Sequence, residues 1–189
     1  GISNKNSTLS LPVPMLNIMN GGCHANNSVD IQEFMIIPSN KFNFKDGLMK
    51  SVEVYTHLKN LLKEKELSVS VGDEGGFAPN LKTSEEVLDL IILSIERAGL
   101  IYLDDISIAL DCAASELFNK DTYRLTGENK KYSSEEMVVY IQSLVDKYEI
   151  KSVEDPFDET DWNAWKTFTN NNKDLQIVGD DIFVTPVSY

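Results

Sequence analysis

Three carboxylates each close a short apolar segment of this chain: Asp111, Glu154 and Asp180. Because parallel strands end on one face of a sheet or barrel, where active sites are found, we expect these side chains to converge. Neighbouring carboxylates repel one another, and a divalent cation relieves that repulsion. Ligands that are all oxygen, without His or Cys, suit a hard ion. The pattern therefore predicts a Mg²⁺ site.

A structural role for the same acids stays open, because an acid after a strand also caps a helix or turns the chain. The periodicity also does not decide between Asp180 and its neighbour Asp181 as the ligand.

Three further residues are candidates for proton chemistry. Glu74 lies in the motif GDEGG, whose glycines let the backbone approach closely or adopt a positive φ, although a plain surface turn is the alternative. Glu33 has apolar neighbours; if it is buried, its pKa is raised and it can hold a proton, and otherwise it faces outward. His24 follows two glycines in a loop and is a candidate acid, base or substrate donor near neutral pH.

The hydrophobic periodicity predicts the elements that position these residues. Strands are predicted at residues 11–19, 31–37, 106–111, 150–154 and 176–180. Helices are predicted at residues 44–66, from the Thr83 cap to the Gly99 stop, from about residue 133 to 148, and at residues 161–170. Strands that alternate with helices indicate parallel βαβ units in one α/β domain. Residues 1–10 are predicted to be a linker.

Composition excludes several classes of protein. The chain has 189 residues with 17 basic and 30 acidic side chains, a net charge of −13, which disfavours nucleic acid and anionic lipid as partners. No apolar run approaches the roughly 20 residues of a membrane span. Cys23 and Cys112 form neither a disulfide framework nor a zinc pattern. With no signal peptide, we expect a cytoplasmic location, and the missing initiator Met suggests a piece of a longer protein.

The chain lacks the cations that some chemistries need. Arg occurs only as Arg97 and Arg124, neither at a strand end, and no Lys closes a strand. We also find no Ser/His/Asp nucleophile pattern and no phosphate-binding loop of the Walker type. A base that removes a carbon-bound proton, and cations for a phosphorylated substrate, are therefore not found in this sequence.

Seven stretches together resemble the enolase family, in the order that the family has them. They are LPVP (11–14), NGGCHA (20–25), QEFM (32–35), VGDEGGFAPN (71–80), ALDCAASE (109–116), SVEDP (152–156) and VGDD (178–181). The family's usual Gly-Gly-Ser-His is changed at Cys23, and residues 185–187 depart from the family's Thr-Asn.

The resemblance implies an α/β fold, an incomplete barrel that opens with two strands and two helices before its βα repeats. A complete barrel needs roughly 250 residues, so about five of eight strands are expected here. Residues 11–189 would be the N-terminal portion of the catalytic barrel domain. The family's small N-terminal domain and its later strands, which carry the base Lys and the phosphate ligands, would be absent.

The resemblance also implies an activity, the Mg²⁺-dependent dehydration of 2-phosphoglycerate to phosphoenolpyruvate in glycolysis, by a homodimeric cytoplasmic enzyme. Carried over by position, Asp111, Glu154 and Asp180 match the metal ligands, and Glu154 and Asp180 also border the substrate. The remaining matches are Glu74 with the general acid and Glu33 with its partner carboxylate, which also borders the substrate. His24 matches the substrate-contacting loop histidine, and Gln32 matches an amide that lines the site and borders the substrate.

Two other interpretations remain open on the sequence alone. One is a fragment without catalytic activity that only folds or binds partners. The other is a different Mg²⁺-dependent member of the barrel superfamily that acts on another carboxylate. The motif GDEGG and the loop containing Cys23 and His24 favour the enolase interpretation over the latter.

Overall fold

The computed structural model describes residues 11–184, so the predicted linker at residues 1–10 and the unusual residues 185–187 lie outside the described residues. The elements, in chain order, are β1 (Leu16–Asn20), β2 (Glu33–Pro38), α1 (Phe44–Glu64), α2 (Ser84–Arg97), β3 (Ile106–Asp111), β4 (Tyr123–Leu125), β5 (Lys130–Tyr132), α3 (Ser134–Tyr148), β6 (Ser152–Glu154), α4 (Trp162–Asn171) and β7 (Gln176–Val178).

The central sheet has five strands in the order β1-β2-β3-β6-β7. The first two pairings, β1 with β2 and β2 with β3, are antiparallel, whereas β3, β6 and β7 are parallel. The sheet does not close within residues 11–184. This arrangement confirms the predicted incomplete barrel, with two strands and two helices before the βα repeats.

The helices begin where polar side chains satisfy the free backbone N–H groups of the first turn. Thr83 accepts a hydrogen bond from the Glu86 amide at 3.1 Å, as predicted, but the Glu86 carboxylate accepts from the amide of Lys82 rather than from Thr83. At the start of α3, Ser133 and Glu136 form a complete capping box. The apolar faces of the helices pack on the sheet, and within residues 11–184 no helix has both the length and the apolar character of a membrane span.

The largest differences from the sequence prediction concern two parts of the fold, while β2, β6 and β7 differ from their predicted bounds by one or two residues. Strand β1 begins at Leu16 rather than at residue 11, because Pro12 and Pro14 have no amide hydrogen to donate to a ladder. The hairpin of β4 and β5 is an addition to the predicted elements, because its strands, with the sequences YRL and KKY, contain no apolar run. Its turn is held by the buried Asp30 carboxylate, which accepts the amides of Gly127 and Glu128 at 3.0 Å each.

Candidate active site

The strand register aligns three of the predicted site residues in one row across the sheet. Glu33 of β2 is directly opposite Asp111 of β3, and Asp111 is in turn opposite Glu154 of β6. Residues that are opposite one another on paired strands project from the same face, so the three carboxylates point into a common space. That space lies at the carboxyl ends of the parallel strands, where the sequence predicted the site.

A cavity of about 510 Å³ opens above this row. Seven of its lining residues are those that the sequence singled out, namely His24, Gln32, Glu33, Glu74, Asp111, Glu154 and Asp180. Asp181, Glu116, Cys23 and Ala113 complete the lining. Among the described residues that line this cavity there is no Lys or Arg, and His24 is the one basic side chain.

Three neighbouring carboxylates form a candidate metal centre. Ligand oxygens of Asp111, Glu154 and Asp155 lie within 4.8 Å of one another. Asp180 lines the same cavity but does not belong to this close group in the described part of the chain. The structure therefore brings Asp111 and Glu154 into mutual contact range and leaves Asp180 exposed at the rim.

The protonation of this group shows what a cation would do for it. Burial, with an added contribution from the Asp155 charge, raises the pKa of Asp111 to about 6. Burial and the neighbouring charges of Asp111 and Asp155 raise the pKa of Glu154 to about 7. These carboxylates offer only oxygen ligands, and their mutual repulsion disfavours ionisation of both at once. A hard divalent ion such as Mg²⁺ fits such a site, because it would stabilise the ionised forms.

Hydrogen bonds hold these carboxylates in place. The Asp111 oxygens accept the Ala113 amide at 3.0 Å and the Gln32 side-chain amide at 3.3 Å. Gln32, predicted only as an amide that lines the site, thus contacts a predicted metal ligand directly. Such contacts fix the orientation of a ligand and are as much a part of a metal site as the ligand itself.

Asp155 is a site residue that the sequence analysis did not assign. Its carboxylate accepts the backbone amides of Asp180 at 3.1 Å and of Asp181 at 2.9 Å, so it fixes the chain segment that carries Asp180. It is almost fully buried and has a positive φ of 40°, a strained conformation for a residue with a side chain. The available sequence signal was its position directly after Glu154.

A second cluster joins His24, Glu33 and Glu74. The His24 Nδ1 atom lies 3.3 Å from a Glu33 oxygen and 3.9 Å from a Glu74 oxygen. Glu33 is buried, with 8% of its surface exposed, which excludes the outward-facing alternative. The Glu74 side chain, by contrast, is 51% exposed and reaches toward the cavity from its loop.

The two glutamates share a proton unequally. Burial, followed by the hydrogen bond with Glu74, raises the pKa of Glu33 to about 8, whereas the hydrogen bond from Glu33 and the nearby His24 lower the pKa of Glu74. These opposite shifts favour the proton on the buried Glu33, beside the ionised and better solvated Glu74.

The segment around Glu74, residues 72–77, is called the Glu74 loop below. It requires glycine where the backbone is crowded: a Cβ on Gly72 would lie 2.4 Å from the His24 carbonyl, and one on Gly76 would lie 2.4 Å from the Asn20 side-chain oxygen. The glycines of this motif thus permit close packing of the loop on β1 and on the His24 turn, and a free surface turn is excluded.

The cysteines do not take part in this arrangement as ligands. Cys112 is buried, whereas Cys23 is exposed and lines the cavity. Burial and the nearby Glu116 raise the pKa of the Cys23 thiol, which keeps it protonated.

Comparison with known proteins identifies relatives over nearly the whole chain. The family model described as "Enolase, C-terminal TIM barrel domain" matches residues 8–189. The chain is 52% identical to the enolase of Wolinella succinogenes over 181 residues, which cover 95% of this chain and 43% of that protein. It is 48% identical to the enolase of Legionella pneumophila over 184 residues, which cover 96% of this chain and 43% of that protein.

Proposed function

This chain belongs to the enolase family, and on that premise we propose that it is part of an enzyme that dehydrates 2-phosphoglycerate to phosphoenolpyruvate. The chain spans less than half the length of the curated relatives it matches, so the proposal concerns the whole protein. The observation that carries it is the single cavity lined by all seven residues that the family pattern assigns to the site. Cytoplasmic glycolysis and a homodimer are part of the same proposal.

Asp111, Glu154 and Asp180 are proposed as the residues that would hold Mg²⁺. The bound ion would supply positive charge against the negative charge that develops on the substrate carboxylate as the neighbouring carbon loses its proton. Asp111 and Glu154 already face each other from adjacent strands, and Asp155 orients the segment of Asp180.

Glu74 is proposed as the group that protonates the departing hydroxyl. Its position at the cavity, partly exposed, gives it access to substrate, and the proton that it needs lies next to it on Glu33. Transfer of that proton from Glu33 to Glu74, and from Glu74 to the leaving oxygen, would convert hydroxide into water. His24 and Gln32 are proposed to contact the substrate from the same wall.

The base and the phosphate ligands are assigned to parts of the protein outside residues 11–184. This assignment rests on the absence of Lys and Arg from the described cavity lining. A phosphorylated, carboxylated substrate would otherwise meet a wall of carboxylates, which repel it.

The experiment is a steady-state assay of the full-length enzyme with 2-phosphoglycerate, in which phosphoenolpyruvate is followed by its ultraviolet absorbance. We expect Glu74→Gln to lower kcat by roughly 10²–10⁴-fold, the usual effect of losing a general acid. The matched control is Asp73→Asn, which changes the adjacent, exposed carboxylate outside the cavity lining and should keep the wild-type rate.

Two results would count against the proposal. If the full-length enzyme does not turn over 2-phosphoglycerate but dehydrates another hydroxy acid with Mg²⁺, the chain belongs to a related enzyme of different specificity. If Glu74→Gln and Asp73→Asn are equally active, Glu74 is not the acid. Equal folding of the variants is checked by circular dichroism.

A further inference from the structure

Tyr55, on helix α1, contacts the Glu74 loop at two points. Its hydroxyl donates a hydrogen bond of 2.9 Å to the carbonyl of Gly75, the residue directly after Glu74. Its ring stacks on Phe77, with a centroid separation of 4.3 Å and an interplanar angle of 18°. Phe77 is itself almost fully buried, so the stack connects Tyr55 and the Glu74 loop to the core.

The other anchors of the loop are backbone hydrogen bonds at its two ends. Phe77 pairs with β1 through the carbonyl of Ile18 at 2.9 Å, and the amide of Asp73 donates to the carbonyl of His24 at 3.1 Å. Inside the loop, the amide of Gly75 donates to Gly72 at 3.2 Å. These contacts fix where the loop enters and leaves but do not reach the carbonyl after Glu74.

Tyr55 is the one side chain, among residues 11–184, that hydrogen-bonds to the backbone of the Glu74 loop. The amides of Asn17 and Asn20 lie beneath the loop, at the Cβ position of Gly76, and keep buried atoms without hydrogen-bond partners. Gly75 has a φ of +88° and open space around it, so neither packing nor a side chain of its own restrains this peptide. Its carbonyl is therefore held by Tyr55.

We propose that Tyr55 is a positioning residue, which holds the Gly75 carbonyl and thereby sets the Glu74 carboxylate against Glu33 and His24. This inference rests on the proposed role of Glu74 as the acid. Tyr55 is absent from the lining of the cavity, so it would act through Glu74 rather than on the substrate itself. Small displacements of a catalytic group cost rate rather than substrate affinity, because proton transfer depends steeply on geometry.

The test is Tyr55→Phe in the full-length enzyme, which keeps the stack on Phe77 and removes only the hydroxyl. We expect kcat to fall roughly threefold to tenfold, as for the loss of one neutral hydrogen bond, with KM changed less than about twofold. Hydrogen exchange of residues 72–77 should become faster in Tyr55→Phe. The matched control is Tyr102→Phe, which removes a tyrosine hydroxyl bonded to the Tyr148 carbonyl, away from the cavity, and should alter neither measurement.

A double-mutant cycle separates this inference from the proposed function. In the Glu74→Gln background, Tyr55→Phe should have no further effect on kcat, because the group that it positions is gone. If Glu74→Gln is slow but Tyr55→Phe keeps the wild-type kcat, or lowers kcat equally in both backgrounds, the positioning role alone is overturned. If Glu74→Gln keeps the wild-type rate, the proposed acid fails and the positioning role fails with it.

Discussion

The Asp155 carboxylate is hydrogen-bonded to the backbone of the segment that contains Asp180. Its two oxygens accept the amides of Asp180 at 3.1 Å and of Asp181 at 2.9 Å. The backbone carbonyl of Asp155 also accepts the amide of Ala114, so the residue links the ends of β3, β6 and β7. The position of Asp180 at the rim of the cavity therefore depends on Asp155, the residue directly after Glu154. Asp155 has a φ of 40°, a left-handed conformation that is strained for a residue with a side chain.

We predict that Asp155→Asn weakens Mg²⁺ binding by roughly tenfold to a hundredfold, the usual loss when a residue that orients a metal ligand is changed. The amide nitrogen of Asn cannot accept one of the two backbone hydrogen bonds, so the Asp180 segment is released. Isothermal titration calorimetry of the full-length protein with Mg²⁺ measures this. Asp174→Asn, which neutralises an exposed carboxylate outside the cavity, is the control; equal affinities for the two variants would contradict the orienting role.

Mg²⁺ affinity should rise with pH between about 6 and 8. In the metal-free protein the pKa values of Asp111 and Glu154 are raised to about 6 and about 7, so at lower pH the ion must displace protons from both groups. Above the pKa of Glu154 this competition ends and the affinity should level off. Titrations at several pH values, in buffers of different ionisation enthalpy, measure the proton release; binding at pH 7 without proton release would show that these carboxylates are not the ligands.

Glu33 should make the metal-free protein less stable as the pH rises. Its pKa in the folded protein is raised to about 8 from an ordinary 4.5, so the folded state binds the proton more tightly than the unfolded state. The stabilising effect is complete below pH 4.5 and is lost progressively as the pH increases to about 8. Glu33→Gln, which is neutral at every pH, removes this dependence.

The measurement for Glu33 is the difference in Tm between wild type and Glu33→Gln from pH 5 to pH 9. Wild type should lose stability relative to the variant across this range. A difference that does not change with pH would mean that Glu33 ionises normally in the folded protein.

The 189 residues alone should not catalyse the reaction. The described cavity offers no Lys or Arg for the base or the phosphate, and the unclosed sheet leaves exposed strand edges that favour aggregation. The isolated chain, assayed with 2-phosphoglycerate and Mg²⁺, should give no phosphoenolpyruvate above background. A Glu74→Gln preparation purified in parallel excludes contaminating host enzyme; turnover that this substitution abolishes would place the base within the chain.

The sequence determined those features that short stretches of chain encode. The apolar run of residues 106–111 forms β3 with the predicted bounds, and Thr83 caps α2 as predicted, because period and capping depend on residues within a turn or two. For α3 the sequence left Ser133 and Ser134 as alternative caps, and the structure selects Ser133. The strand pattern also predicts that Asp111 and Glu154, at the ends of β3 and β6, lie on one edge of the sheet, where the structure has them opposite each other.

Tertiary structure decided which carboxylates are buried and which lie together. The sequence of β2 does not decide whether the Glu33 side chain faces solvent or the interior. Pairing of β2 with β3 places Glu33 opposite Asp111, where it is buried. Likewise, nothing local indicates that Asp155 binds the backbone beyond β7 or that Tyr55 reaches Gly75. Strand register, desolvation and hydrogen bonds between distant segments arise only when strands and helices pack. Residue types and spacing therefore predict which residues form the site, but not their protonation or the residues that hold them in position.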